Sequence, residues 1–367
     1  MAVFPGKILV IAKSARMLAG YLAEAGYDAV AIDCYGDSDT RAMALDYCFV
    51  PGLALADIQE PVLAMKSRHG LNHAIYGSGF ESNLPSLDFL QGRFTLLGNA
   101  ASRFARVQDK AFFFQRLDEL GIAHPAVSFT PPVSEGRWLV KPLAGEGGLG
   151  IHRYRPDSVA GVESCYWQHY IDGMAMSVLF VAAQGRVAIV GYQRQLLCAN
   201  NSSQPFLFAG VLSWPELPGP VRLLVAGWAA KLAQCFRLRG LNSLDFILRD
   251  GRCYALEVNA RPPASLQLYG EDIIEAHIKA VLRGTVAEAV RPERLSAYKI
   301  VYAEREILID EKITWPRWTA DRPRSGSRIG QGEPICSIIA RAQNRQQLMD
   351  RLRNKQQVVE KLLNTGS

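Results

Sequence analysis

Ser243-Leu-Asp-Phe-Ile-Leu-Arg-Asp-Gly-Arg-Cys-Tyr-Ala-Leu-Glu-Val-Asn-Ala-Arg-Pro262 reads as two strands about an Asp250-Gly251 turn. Leu244, Phe246 and Leu248 recur as even-numbered apolar positions on the first strand, and Tyr254, Leu256 and Val258 do so on the second. Glu257 and Asn259 are two residues apart, so their oxygens share one face of a strand, an arrangement suited to a hard divalent cation. Whether Asp245 joins them depends on the turn. A three-residue turn at 249 to 251, with Gly251 left-handed, buries both apolar sets together and brings Asp245, Glu257 and Asn259 to the opposite face. A two-residue Asp250-Gly251 turn sends Asp245 behind the sheet. Without metal chemistry the same pattern describes a half-buried hairpin with a polar outer face. Arg261 follows directly and places a fixed fork of donors beside the oxygen ligands.

A glycine cluster, Gly145-Glu146-Gly147-Gly148-Leu149-Gly150, lies upstream, directly after an apolar strand at Trp138 to Lys141. Glycines let backbone amides turn inward toward a polyphosphate. Ile151-His152 stands where a Walker loop needs Lys-Ser/Thr, and a strand follows instead of a helix, so a Walker loop is excluded. The segment reads as a flap between antiparallel strands, or as an ordinary glycine-rich hairpin. Lys141 leaves its strand just before it, and Lys110 lies on a helix some thirty residues earlier. Both are point charges suited to phosphate oxygens, though each alone could be a solvated surface lysine.

Toward the start of the chain, Lys7 to Ala12, Ala29 to Asp33, Tyr47 to Val50 and His73 to Tyr76 alternate with helical patterns. This predicts an α/β domain with a parallel sheet over residues 1–100. Ligands of such sheets bind beyond the strand carboxyl ends, where Ser14, Asp33 and the Gly77 to Glu81 loop fall. That loop lacks the third glycine of a dinucleotide fingerprint. Ser102 to Leu120 reads as one helix, and its Phe112-Phe113-Phe114 run as core packing. Residues 101–290 then read as α+β with antiparallel hairpins, and residues 291–367 as a small C-terminal α/β domain ending in an amphipathic helix that could also make a dimer contact.

Composition limits the function. The chain has 367 residues, 49 % hydrophobic and 21 % charged, enough for two or three domains with sizeable cores. No apolar run reaches membrane-spanning length, and no secretory leader is evident at the start, so a cytoplasmic location is expected. Seven well-separated cysteines suggest buried thiols, without a disulfide framework or a CxxC metal site. The net charge of +6 sits in the last fifth: residues 291–367 hold 15 Lys or Arg against 9 Asp or Glu, and the remainder balances. No nucleic-acid-binding motif accompanies it, so a solvated face or attraction of an anionic substrate is the simpler reading.

Lys110, Lys141, the Gly145 to Gly150 flap, Trp167-Gln168-His169-Tyr170-Ile171, Asp245 and Glu257-Val258-Asn259-Ala260-Arg261 occur in the order and spacing of the ATP-grasp superfamily. The sequence resembles that superfamily over roughly residues 105 to 290. Within it, Asp172-Gly-Met-Ala-Met-Ser-Val178, Gln193-Arg-Gln-Leu196, Ser14-Ala-Arg16 and Asp33-Cys-Tyr-Gly-Asp-Ser-Asp39 resemble the tyramine-glutamate ligase type linked to methanofuran and related C1-carrier synthesis. The resemblance implies ATP between two β-sheets, Lys110 and Lys141 on its phosphates, the flap above them, and Gln168, His169 and Ile171 near the base. It also implies Mg2+ held by Asp245, Glu257 and Asn259, with Arg261 and Arg194 steadying the transferred phosphoryl group. The implied activity joins a small carboxylate to an amine through an acyl phosphate. A phosphotransferase and a nucleotide-binding partner protein are the alternatives. The sequence departs from the pattern at Gln168, where many relatives carry an acid, and at Met174 to Met176, where some carry a ribose-binding carboxylate.

Overall fold

The computed structural model describes residues 6–132, 137–155, 164–198, 204–270, 272–286 and 294–364. The chain opens with β1 (Lys7–Ile11), α1 (Arg16–Glu24), β2 (Asp28–Asp33), α2 (Ser38–Met43), β3 (Asp46–Phe49), α3 (Leu55–His69), β4 (His73–Tyr76), α4 (Leu84–Gln91) and β5 (Thr95–Leu96). The strands form a parallel sheet in the order β3-β2-β1-β4-β5. Ile8 to Ile11 of β1 are fully buried, as expected of a strand covered on both faces by helices. The order reverses between β1 and β4, so the loops after these strands, at Lys13 to Arg16 and Gly77 to Glu81, flank a crevice at the strand carboxyl ends.

The single helix expected over Ser102 to Leu120 is instead two, α5 (Ala101–Gln108) and α6 (Lys110–Glu119). Asp109 leaves helical geometry, and its carboxylate accepts from the Phe112 N–H at 3.0 Å, an N-cap. The break puts Lys110 on the first turn of α6, where it is 5 % exposed. Phe113 and Phe114 are buried, as expected.

Next come β6 (Val127–Ser128), β7 (Trp138–Pro142), β8 (His152–Arg153) and β9 (Cys165–His169), a four-stranded sheet in the order β6-β9-β7-β8. They are followed by β10 (Met174–Ala183), β11 (Arg186–Leu197), β12 (Phe208–Ser213), α7 (Gly219–Phe236), β13 (Gly240–Arg249), β14 (Arg252–Asn259), a 3-10 turn at Ala264–Leu268 and α8 (Asp272–Arg283). The last part holds β15 (Leu295–Tyr302), β16 (Ile307–Leu308), β17 (Thr319–Ala320), β18 (Arg328–Ile329), β19 (Pro334–Ala342) and α9 (Arg345–Asn364). The large sheet runs β14-β13-β10-β11-β12-β15-β19-β17. It is continuous across the expected boundary near residue 290, which itself falls outside the described residues. The fold is therefore a parallel α/β sheet joined to an α+β body of two larger antiparallel sheets and a two-stranded β16-β18 ribbon. None of the helices among the described residues is long and apolar enough to cross a membrane.

Candidate active site

The β13–β14 hairpin decides where the acids point. Its turn is the two-residue Asp250-Gly251, with φ of +49° and +76°, as Arg249 pairs with Arg252. That turn alone would put Asp245 behind the sheet. A bulge intervenes: Phe246 pairs with Ala255 but Asp245 pairs with Glu257, so Leu256 is the extra residue. Beyond the bulge the register changes by one, and Asp245, Glu257 and Asn259 share a face after all. The expected convergence holds, but by a bulge and not by a three-residue turn. Leu256, expected in the core, lines the cleft, and Ala255 and Cys253 are buried with Phe246.

This face forms one wall of a cleft of about 480 Å³. The four-stranded sheet supplies the opposite wall through Leu139, Lys141 and Gln168, and the α/β domain closes one end through Lys13, Ser14 and Gly77. Lys110 donates to Glu257 at 3.3 Å. Lys141, nearly buried beneath the flap, donates to Gln168 Oε1 at 3.1 Å, and burial holds its ammonium below the usual lysine range. Gln168 Nε2 is a buried donor with no hydrogen-bond partner among the described residues. His169 and Ile171 also line the cleft, and the His169 N–H is engaged by the Ala126 carbonyl at 2.8 Å.

Burial and the neighbouring Glu257 push the Asp245 carboxyl up to about 7. Burial acts on Glu257 in the same direction, but Lys110 and Lys141 outweigh it and hold that carboxyl below its ordinary value. Asn259 donates to Asp245 Oδ2 at 3.3 Å, which leaves its amide oxygen for a ligand. Two carboxylates and an amide oxygen thus face one space with a single direct lysine partner between them.

The flap is anchored at both ends of the cleft. Gly147, Gly148 and Gly150 have φ of +60°, +76° and +74°, which only glycine adopts without strain. Gly148 passes so close to Phe206 that a Cβ would lie 2.0 Å from its carbonyl oxygen, and the Phe208 N–H donates to the Gly147 carbonyl at 2.8 Å. Gly145 and Gly150 rest on Pro142. Glu146 is held by Lys13 of the α/β domain at 2.9 Å. Arg261 is clamped likewise: its Nε donates to Glu81 at 2.7 Å, and Glu81 in turn accepts from the Gly79 N–H at 2.9 Å. No hydrogen bond to a described residue occupies the Arg261 Nη groups, so they are available to an anion in the cleft.

Arg194 is not brought to this site. On β11 it alternates with Gln193 and Gln195, and Gln195 is the residue that lines the cleft. Arg194 lies on the other face, exposed, with its guanidinium 5.5 Å from the centre of the Trp214 ring.

Residues 107–265 match the family model described as ATP-grasp domain. This part of the chain has the ATP-grasp fold. Over 358 residues the chain is 20 % identical to a protein of Methanocaldococcus jannaschii described as uncharacterized, covering 91 % of this chain and 88 % of that one. In structure it is similar to the biotin carboxylase domain dimer of the 2-oxoglutarate carboxylase of Hydrogenobacter thermophilus, solved with MgADP and bicarbonate (TM-score 0.73, 16 % identity, 95 % and 89 % of the two chains). It is also similar to the L-amino acid ligase of Bacillus licheniformis (TM-score 0.72, 13 % identity, 95 % and 96 %).

Several residues around the ATP-grasp cleft are not singled out by the sequence pattern. Glu81, Lys13 and Gln195 act through contacts 133 or more residues away or through strand register. Their only advance signals are the Gly77 to Glu81 loop and the charged residue after β1.

Proposed function

We propose that the protein is an ATP-dependent ligase that joins a carboxylate to an amine through an acyl phosphate. The observation that carries this reading is the convergence of Lys110, Lys141 and the Asp245–Glu257–Asn259 face, from separated segments, beneath a glycine flap. An unactivated carboxylate does not acylate an amine, so its oxygen first attacks the γ-phosphorus of ATP and the bond to the ADP oxygen breaks. The amine nitrogen then attacks the acyl carbon, the bond to phosphate breaks, and the nitrogen loses a proton. Lys110 and Lys141 offset the phosphate charge, and Arg261, oriented by Glu81, steadies the transferred group through its Nη nitrogens. The flap, latched by Lys13 to Glu146, excludes water that would hydrolyse the acyl phosphate.

The donor set also fits a divalent cation. Asp245 and Glu257 are directly paired across the strands, and burying two carboxylates side by side disfavours double ionisation unless a cation joins them. Mg2+ bound by Asp245, Glu257 and the Asn259 oxygen would supply positive charge to the phosphate oxygens. Near the base, the orphaned Gln168 Nε2 offers a donor to an acceptor atom. The Asp172 to Val178 and Gln193 to Leu196 stretches support placing the substrates in C1-carrier synthesis of the methanofuran type, and the likeness to a carboxylase domain solved as a dimer supports a homodimer. The test is product analysis. ADP and phosphate should be released only when a carboxylic acid and an amine are both present, and release of AMP and pyrophosphate would contradict the mechanism.

A further inference from the structure

The end of the cleft against the α/β domain carries four carboxylates, Asp33, Asp37, Asp39 and Asp321, of which the fold satisfies three. Asp33 accepts from the Ala15 N–H at 3.1 Å, the Gly36 N–H at 2.9 Å and the Tyr47 hydroxyl at 2.8 Å. Asp39 accepts from the backbone N–H groups of Asp321 and Arg322 at 3.0 and 2.9 Å. Asp321 pairs with Arg16 at 3.0 Å and accepts from the Tyr298 hydroxyl at 3.3 Å.

Asp37 is different. It is 6 % exposed and lines the cleft, yet its carboxylate has no hydrogen bond or ion pair to any described residue. Of the nearby cations, Arg16 is held by Asp321 and Gln267, Lys13 by Glu146, and Arg322 by the Thr319 and Arg317 carbonyls, while Arg41 lies over the Tyr47 ring. A second orphan lines the same cleft. Ser265, on the same short turn as Gln267, is 4 % exposed, lines the cleft, and its Oγ has no partner among the described residues.

A buried carboxylate without a cation is costly, and one further negative charge beside three others is more so. Consistently, burial, followed by Asp321, Asp33 and Asp39, pushes the Asp37 carboxyl up to about 8. A buried acceptor without a donor disfavours an anionic ligand beside Asp37. The need is for a small cation whose N–H groups reach two acceptors.

We propose that Asp37 and Ser265 bind the protonated primary amine of a substrate at this end of the cleft. The inference rests on the ligase reading in one respect: it identifies that amine with the nucleophile, once the ammonium has passed one proton to the Asp37 carboxylate. The binding site itself does not depend on it.

The experiment titrates the full chain, saturated with a nonhydrolysable ATP analogue, with propylamine, benzylamine and 2-phenylethylamine, each against the alcohol of the same length. At least one amine should bind tighter than its alcohol by roughly 10-fold or more, the scale of a charge-assisted hydrogen bond. Asp37→Asn should remove that preference while the ATP analogue still binds, and Ser265→Ala should reduce amine affinity several-fold. Equal binding of amine and alcohol throughout the series overturns the proposal. So does a preference that survives in both variants. The two readings fail separately. ADP formation without an amine requirement, with the amine preference intact, removes the ligase and keeps the site; ligation with no effect of either variant removes the site and keeps the ligase.

Discussion

Replacing Gly148 by alanine tests whether the flap contact with Phe206 controls nucleotide binding. The backbone there has φ of +76°, where an L-residue costs about 1 kcal/mol. The new Cβ would stand 2.0 Å from the Phe206 carbonyl oxygen, when even 3.0 Å is tighter than side chains tolerate. The flap must therefore move by about 1 Å, a displacement on the scale of overpacking that costs about 1 kcal/mol or more. It also loses the Phe208 N–H bond to the Gly147 carbonyl, about 1 kcal/mol more. The sum, about 3 kcal/mol, weakens ATP binding roughly 100-fold if the nucleotide requires the closed flap. Gly147→Ala is the control. It has φ of +60° but nothing within 4 Å of its Cβ, so only the conformational cost remains, about 1 kcal/mol or roughly fivefold. Calorimetric titration with ATP gives both constants, and urea midpoints should be alike because the flap is a local turn. Equal losses in the two variants, or wild-type affinity in Gly148→Ala, would refute the role of the Phe206 contact.

Arg194→Ala should leave ATP turnover and affinity within about twofold of wild type, because the side chain lies on the face away from the cleft; a turnover defect would restore it to the site. Lys110→Met leaves Glu257 beside Asp245 without its ion pair, and should lower stability by about 1–3 kcal/mol, below the fully buried range since the Glu257 side chain is 35 % exposed. Adding Glu257→Gln should recover part of that loss in urea titrations, whereas additive losses would deny the coupling. His277 is fully buried, takes the Leu241 N–H on Nδ1 at 2.8 Å and gives Nε2–H to the Leu97 carbonyl at 2.9 Å, and burial depresses it to about 4. The unfolded chain binds the extra proton between about pH 4 and 6.5, so the neutral ring's stability is full above that window and lost as pH falls through it. About 2 kcal/mol should vanish between pH 7 and 5, and a His277→Gln variant should lack that slope in urea unfolding.

The α/β opening is legible because each buried strand is a continuous apolar run bounded by turn residues, and the sheet order then places the loops after β1 and β4 at the crevice without further information. The helix over Ser102 to Leu120 misleads for a local reason. Its apolar period continues through Asp109, and only the geometry of that residue reveals a cap that starts a second helix and sets Lys110 against Glu257. Contacts such as Arg261 with Glu81, or Arg16 with Asp321, join segments 180 and 305 residues apart. No periodicity in either segment encodes them.

The hairpin explains why a correct expectation about the site can rest on an incorrect one about the turn. Side-chain facing depends only on the parity of the register, and parity can be set by the loop or by a bulge anywhere before the residues concerned. Asp250-Gly251 is a strong two-residue turn signal, and it forms. The requirement that Asp245 and Glu257 face one cleft is met five residues after Gly251 by extruding Leu256, which is apolar enough to line the cleft wall it then faces. Arg194 lies in the opposite situation. Its strand pairs in uniform register from Leu179↔Gly191 to Met176↔Arg194, so no bulge in this span can reverse its face, and Gln193 and Gln195 are the residues directed inward. The chemistry of a residue type therefore predicts a site only when the register is known, and here one residue of register separates a carboxylate-bearing cleft face from an arginine beside tryptophan.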